Sequence, residues 1–276
     1  MTRLLCFHHA GGAATAFRSW QNAAGPALDV VPVALPTTRP VTGRRIHRST
    51  SELIDHLLAE YAEHLREPYV LYGHSMGGLL AYLMARRLVR NSAHPAPAAL
   101  IVAASWSPRM RPSIDVDSLE DRELVQLLNE IGGVPADLVK RPEWLAPMLP
   151  VIRDDLRMCG VYEHDHVDDV LNIPVHVIGA EGDRLVTPEQ TAGWVDLGER
   201  VSIEYHAGGH FFEADPLALR LRVFALAAVA AGEQNVRAVS RQALIAPKCC
   251  VNGGWCANLC LIATNRCNKH RGVTIR

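Results

Sequence analysis

The sequence has almost no excess of either charge: 28 Lys and Arg stand against 29 Asp and Glu, a formal net charge of −1. That balance leaves no broad basic field to draw in nucleic acid or an anionic membrane. No apolar run approaches the roughly 20 residues that cross a bilayer. Met1-Thr2-Arg3-Leu4-Leu5-Cys6-Phe7 has too short an apolar run for a secretory signal, and His8-His9 ends it. No internal repeat is visible. These absences predict a cytoplasmic protein with neither a nucleic-acid nor a membrane partner.

What is present is 276 residues, 49% of them hydrophobic, enough for one well-buried domain. Leu4-Leu5-Cys6-Phe7 reads as a buried strand opening into the loop Ala10-Gly11-Gly12. Val30 to Leu35 is a second run, and Pro32 within it signals a strand at a sheet edge or at its own beginning. Ser49-Thr50-Ser51-Glu52 is a capping-box pattern before Leu53, Ile54, Leu57, Leu58, Tyr61 and Leu65, which share one helical face. Further strands are predicted over Tyr69–Tyr72, Ala98–Ala104, Ile173–Gly179 and Val201–Tyr205. Thr187-Pro188-Glu189-Gln190 marks a helix start, and Asp215-Pro216 opens a final helix through about Ala231. Strands alternating with helices predict an α/β fold, a mostly parallel sheet with helices on both faces. Residues 106–169 break the rhythm with two helical stretches, one from Leu119 to Ile131 and a proline-punctuated one from Pro142 to Met158. They read as a helical lid inserted over the site.

Gly73-His74-Ser75-Met76-Gly77 lies between the Tyr69–Tyr72 strand and an amphipathic helix carrying Leu79, Leu80, Leu83, Met84 and Leu88. A serine hydroxyl is a weak nucleophile, so it needs a base and donors for the developing oxyanion. Gly-x-Ser-x-Gly on a tight strand-to-helix turn exposes the hydroxyl and places the next backbone N–H, here that of Met76, toward the oxyanion. The loop after the first strand is expected to supply a second donor, the Ala10 N–H. A histidine past the last strand is expected as the base, and His210 follows Gly208-Gly209 there. His206 is read as structural, and His74 as lining or underlying the pocket. The acid belongs after the preceding strand, where Asp183 stands, with Glu181 as the alternative. The chain order Ser75, Asp183, His210 is that of α/β-hydrolases.

Together these motifs resemble the stand-alone (type II) thioesterases that serve nonribosomal peptide and polyketide synthases. Leu4 to Gly12, Phe17-Arg18-Ser19-Trp20 and Tyr72 to Gly78 are similar to that family's opening loop and nucleophile turn. Ile131-Gly132-Gly133-Val134-Pro135, Leu149 to Asp155 and Tyr162 resemble its lid, and Gly208 to Phe212 its histidine segment. The likeness runs over about residues 3–231. It implies an α/β-hydrolase fold, hydrolysis of acyl or aminoacyl thioesters, and a carrier-protein partner bearing the acyl group on phosphopantetheine. No metal or cofactor is expected, and the chain is expected to act as a monomer. The same three side chains would also serve an esterase or acyltransferase. A non-catalytic binding protein is the third reading, which the intact set argues against.

The expected organisation is therefore a hydrolase domain over 1–232 and an extension over 233–276. Arg39, Arg44, Arg45 and Arg48 form either a contact for an acidic carrier or a solvated loop. Cys6 and Cys159 are expected as buried thiols, while Cys249, Cys250, Cys256, Cys260 and Cys267 crowd the extension. With His270 they could ligate zinc, but their spacing does not form paired C-x-x-C knuckles. A poorly packed extension is the expectation.

Overall fold

The structure, a computed structural model, describes residues 1–36, 49–66, 68–90, 94–110, 115–134, 138, 141–161 and 170–245. The four loop arginines, the five C-terminal cysteines and His270 lie outside those residues. The chain divides into two units, Met1–Val236 and Arg237–Arg276, and the first holds the whole sheet.

Six strands form that sheet in the order β2-β1-β3-β4-β5-β6, every pair parallel. They are β1 (Thr2–Phe7), β2 (Leu28–Pro32), β3 (Tyr69–His74), β4 (Ala99–Ala103), β5 (Leu171–Ala180) and β6 (Gly198–His206), with the short helix α1 (Arg18–Ala23) between β1 and β2 and α7 (Pro188–Ala192) between β5 and β6. Strands covered on both faces read as continuous apolar runs, which is why Leu4–Phe7 and Ala99–Ala103 are fully buried. Alternation along each strand divides the core in two. Leu5, Phe7, Leu71 and Val102 face α2 (Thr50–Glu60) and α3 (Met76–Arg90). Leu4, Cys6, Tyr72 and Ile101 face the other way, toward Phe17, Phe212 and α8 (Pro216–Ile245). Cys6 and Cys159 are both buried, their thiols donating to the Leu4 and Asp155 carbonyls at 3.5 and 3.4 Å.

The strand at Val30 is the sheet's edge, as Pro32 signals, but it spans Leu28–Pro32 rather than reaching Leu35. The chain leaves the sheet there because the Ala34 N–H donates to the Tyr61 hydroxyl, at 2.7 Å, instead of to a neighbouring strand. Ser49 caps α2 by accepting the Glu52 N–H at 3.2 Å. That helix stops at Glu60, so Leu65 falls in a separate 3-10 turn, Ala62–Leu65, yet remains buried. The final helix runs beyond Ala231 to Ile245. Among the described residues, no helix is long and apolar enough to cross a membrane.

Between β4 and β5 the chain forms α4 (Asp121–Glu130), α5 (Pro142–Leu145) and α6 (Leu149–Val161). Leu124, Leu128, Ile131, Leu145, Leu149 and Ile152 pack into a cluster of their own, which Phe211 of the main body joins. Arg153 ties α6 to the start of α4, donating to the Leu119 carbonyl at 2.8 Å and to Asp121 Oδ1 at 2.9 Å. The strand order reverses direction between β1 and β3. Loops at the carboxyl ends of strands flanking such a reversal form a natural crevice. Here those loops carry Ala10 and Ser75.

Candidate active site

Ser75 sits where β3 must turn at once into α3. Its φ of +55° is left-handed, a conformation costing a non-glycine residue about 1 kcal/mol. The Ser75 N–H donates to the Ala103 carbonyl and its carbonyl accepts from the Gly78 N–H, at 2.9 and 2.8 Å, which holds the turn. The flanking glycines are required by contact. A Cβ on Gly73 would land on the Gly77 carbonyl, and one on Gly77 would land on the Phe7 carbonyl.

Ser75 Oγ lies 2.9 Å from His210 Nε2, and His210 Nδ1 lies 2.9 Å from Asp183 Oδ2. The His210 and Asp183 side chains are each 1% exposed, so water does not compete for this pair. Asp183 Oδ1 accepts the backbone N–H groups of Leu185 and Val186 at 2.8 and 3.0 Å, leaving Oδ2 to face the imidazole. A carboxylate only accepts, so Nδ1 carries the proton and Nε2 is free to accept the Ser75 hydroxyl proton. Glu181, the alternative acid, is exposed. His206 lies 3.3 Å from Glu204, whose two oxygens accept from Arg222 Nε and Nη2 at 2.7 Å each, and takes no part in this chain of bonds.

His74 reaches across to His210 from the other side, its Nε2–H donating to the His210 carbonyl at 2.8 Å. His9, His74, His210 and Phe211 meet edge to face or tilted, with ring centroids 4.9–5.5 Å apart. Burial, reinforced by the neighbouring imidazoles, pushes His74 well below the ordinary histidine value and His9 down to about 4. Both are uncharged at neutral pH.

The β1 loop is fixed at three points. His9 to Gly12 form a tight turn in which Gly12 N–H donates to the His9 carbonyl at 3.0 Å. Gly11, third in that turn, has φ of +71°, as a type II turn requires. The same His9 carbonyl lies 2.8 Å from His8 Nδ1. The Gly11 N–H donates to Asp155 Oδ2 of α6 at 2.8 Å, and a Cβ on Gly11 would land on Ile152 of the same helix. Ala10 and Ser75 border one cavity. Met76, next in the chain, begins α3, and the first N–H groups of a helix have no partner within it.

That cavity is apolar. Leu127 and Leu128 of α4, Ile152 and Leu156 of α6, and Trp106 and Phe211 of the main body line it, with His9, Ser75 and His210. Among the described residues, no cluster of three or more His, Cys, Asp or Glu could hold a metal ion. Asp155 has no role of its own in the sequence motifs, although a signal for it is present. Ile152, Asp155, Leu156 and Cys159 share one helical face, so this acid stands on an otherwise apolar stripe and is only 6% exposed.

The family model for the thioesterase domain matches residues 2–218. The gramicidin S biosynthesis protein GrsT of Aneurinibacillus migulanus is 29% identical over 213 residues, 76% of this chain and 82% of that protein. RedJ, a thioesterase of the prodiginine pathway of Streptomyces coelicolor, superposes with a TM-score of 0.73 at 32% identity, covering 83% of this chain and 90% of its own. The type II thioesterase BorB, from the borrelidin biosynthetic cluster, gives 0.71 at 29% identity, covering 83% and 92%.

Proposed function

The chain belongs to the thioesterase family, and we propose that it hydrolyses acyl and aminoacyl thioesters held on the phosphopantetheine arm of carrier proteins. The setting is nonribosomal peptide or polyketide synthesis, where a stand-alone (type II) enzyme of this kind clears groups that stall the synthase. The biosynthetic relatives support the setting. The observation that carries the chemistry is the continuous hydrogen-bonded order Ser75–His210–Asp183 beside an apolar cavity.

Ser75 Oγ attacks the thioester carbonyl as His210 Nε2 takes its proton. Asp183 holds the Nδ1–H tautomer and stabilises the imidazolium that forms. The backbone N–H groups of Met76 and Ala10 receive the developing oxyanion. The tetrahedral intermediate expels the pantetheine sulfur, which His210 protonates, leaving an acyl-Ser75 ester. His210 then removes a proton from water, hydroxide adds to the ester carbonyl, and Ser75 leaves with the proton returned. Uncharged His9 and the lid leucines accommodate the acyl chain without placing a charge against it.

A fluorophosphonate probe and an acyl-pantetheine substrate test the reading together. Wild type should be labelled and should release free pantetheine thiol, and Ser75→Ala should do neither. Folded wild type that is not labelled would overturn the enzyme assignment. Turnover of simple oxygen esters with none of carrier thioesters would overturn the substrate.

A further inference from the structure

We infer that His8 is a positioning residue, whose Nδ1–H holds the carbonyl of the His9–Ala10 peptide and so aims the Ala10 N–H at the oxyanion. The inference rests on the proposed thioester chemistry, in which the Ala10 N–H is an oxyanion donor.

Peptide geometry links the two groups. In a trans peptide the carbonyl and the following N–H point in opposite directions in one plane. Whatever fixes the His9 carbonyl therefore fixes the Ala10 N–H. Two donors converge on that carbonyl, the Gly12 N–H at 3.0 Å and His8 Nδ1 at 2.8 Å. A turn bond alone leaves a peptide free to rock about its two adjacent single bonds. A second donor from the preceding side chain removes that freedom.

The His8 ring is suited to this. It is 5% exposed, so it does not exchange its partner for water. Burial lowers its pKa and keeps it neutral, with a single N–H. A carbonyl can only accept, so that proton belongs on Nδ1. On the far side of Ala10, the Gly11 N–H is taken by Asp155 at 2.8 Å. Ala10 thus stands between two peptide planes that are each clamped by a buried side chain.

Donors aimed in advance at an oxyanion act on kcat, because the ground-state carbonyl uses them less. Two variants separate the bond from the bulk: His8→Leu removes the donor, and His8→Asn can place its amide N–H where Nδ1 stands. Steady-state kinetics on an acyl-pantetheine thioester should show His8→Leu losing about tenfold in kcat with little change in KM, less than the loss of a whole donor. His8→Asn should recover most of that loss. Affinity for a trifluoromethyl ketone, whose hemiketal oxygen would occupy the oxyanion position, should fall in parallel. Nitrogen-15 NMR of the wild-type side chains should show His8 protonated on Nδ1, and this measurement does not depend on any variant folding. The inference is overturned if His8→Leu keeps wild-type kcat, if His8→Asn falls as far as His8→Leu, or if His8 carries its proton on Nε2. Wild type that neither turns over thioesters nor is labelled at Ser75 would instead sink the proposed function, and the tautomer would still be read separately.

Discussion

Replacing Asp183 with asparagine tests the hydrogen-bond logic of the site more sharply than removing the side chain. The two backbone N–H groups of Leu185 and Val186 both point at Oδ1, at 2.8 and 3.0 Å. They can be satisfied only by an acceptor, so the asparagine carbonyl must take that place. Its NH2 is then forced toward His210 Nδ1, which must become an acceptor. The ring responds by moving its proton to Nε2, where it points at Ser75 Oγ and can no longer take the hydroxyl proton. A wrong tautomer in an otherwise intact triad costs about 10⁴ in kcat. At 1.36 kcal/mol per factor of ten, that is about 5 kcal/mol of transition-state stabilisation. KM should change little and the unfolding midpoint should barely move, because shape and burial are retained. Stopped-flow or steady-state release of pantetheine thiol, with thermal unfolding beside it, provides the readout. A variant retaining a tenth or more of wild-type kcat would refute the assignment of Asp183 and the tautomer argument with it. Glu181→Gln, at an exposed position, should leave kcat unchanged.

Acidification should destabilise the fold through its buried histidines. His8, His9 and His74 all have folded pKa values below the ordinary 6.5, so the unfolded chain binds their protons first. Stability is therefore full above about pH 6.5 and declines as pH falls toward the folded values, by at most about 3 kcal/mol for His9 between 6.5 and 4. Urea unfolding at pH 7.5, 6 and 5 should show a steady decline, and a flat profile would contradict it. The apolar lining should favour an alkyl acyl chain over an aminoacyl group with a free ammonium, since burying an unpaired charge is costly. A discrimination of about tenfold to a hundredfold in kcat/KM is expected, and equal rates on butyryl- and alanyl-pantetheine would count against it. Gly77→Ala should destabilise by about 3 kcal/mol or more, because its methyl meets the Phe7 carbonyl. A circular-dichroism melt matching wild type would show that the turn has room the structure does not show.

The features legible in the sequence are those set by neighbours in the chain. The buried strands announce themselves as apolar runs, and Thr187, Pro188 and Gln190 form the cap their spacing predicts, with reciprocal bonds of 2.9 and 3.2 Å. The strand-to-helix turn at Ser75 is local too, since its glycines answer contacts made within the turn and with β1. Ser75, Asp183 and His210 can be set in order because each follows a recognisable strand. Contacts between distant segments are not legible. The bond from Gly11 to Asp155 spans 144 residues, and the apolar stripe that marks Asp155 says nothing of its partner. The end of β2 escapes the sequence for the same reason: Ala34 leaves the sheet for Tyr61, 27 residues away. The Ser49 pattern locates the start of α2, but the switch to a 3-10 turn at Ala62 leaves the apolar pattern almost unchanged.

The contact between α6 and the β1 loop divides the cavity wall into two kinds of position for anyone redesigning its acyl preference. Leu127 and Leu128 of α4 line the cavity and can be exchanged for larger or smaller side chains as a matter of volume. Ile152 shares α6 with Asp155, rests on Gly11, and sits one turn from the carboxylate that holds the Gly11 N–H. A change there alters the shape of the pocket and the aim of the loop together. Libraries confined to α4 should therefore shift selectivity among acyl chains at nearly constant turnover. Libraries on α6 should trade one against the other.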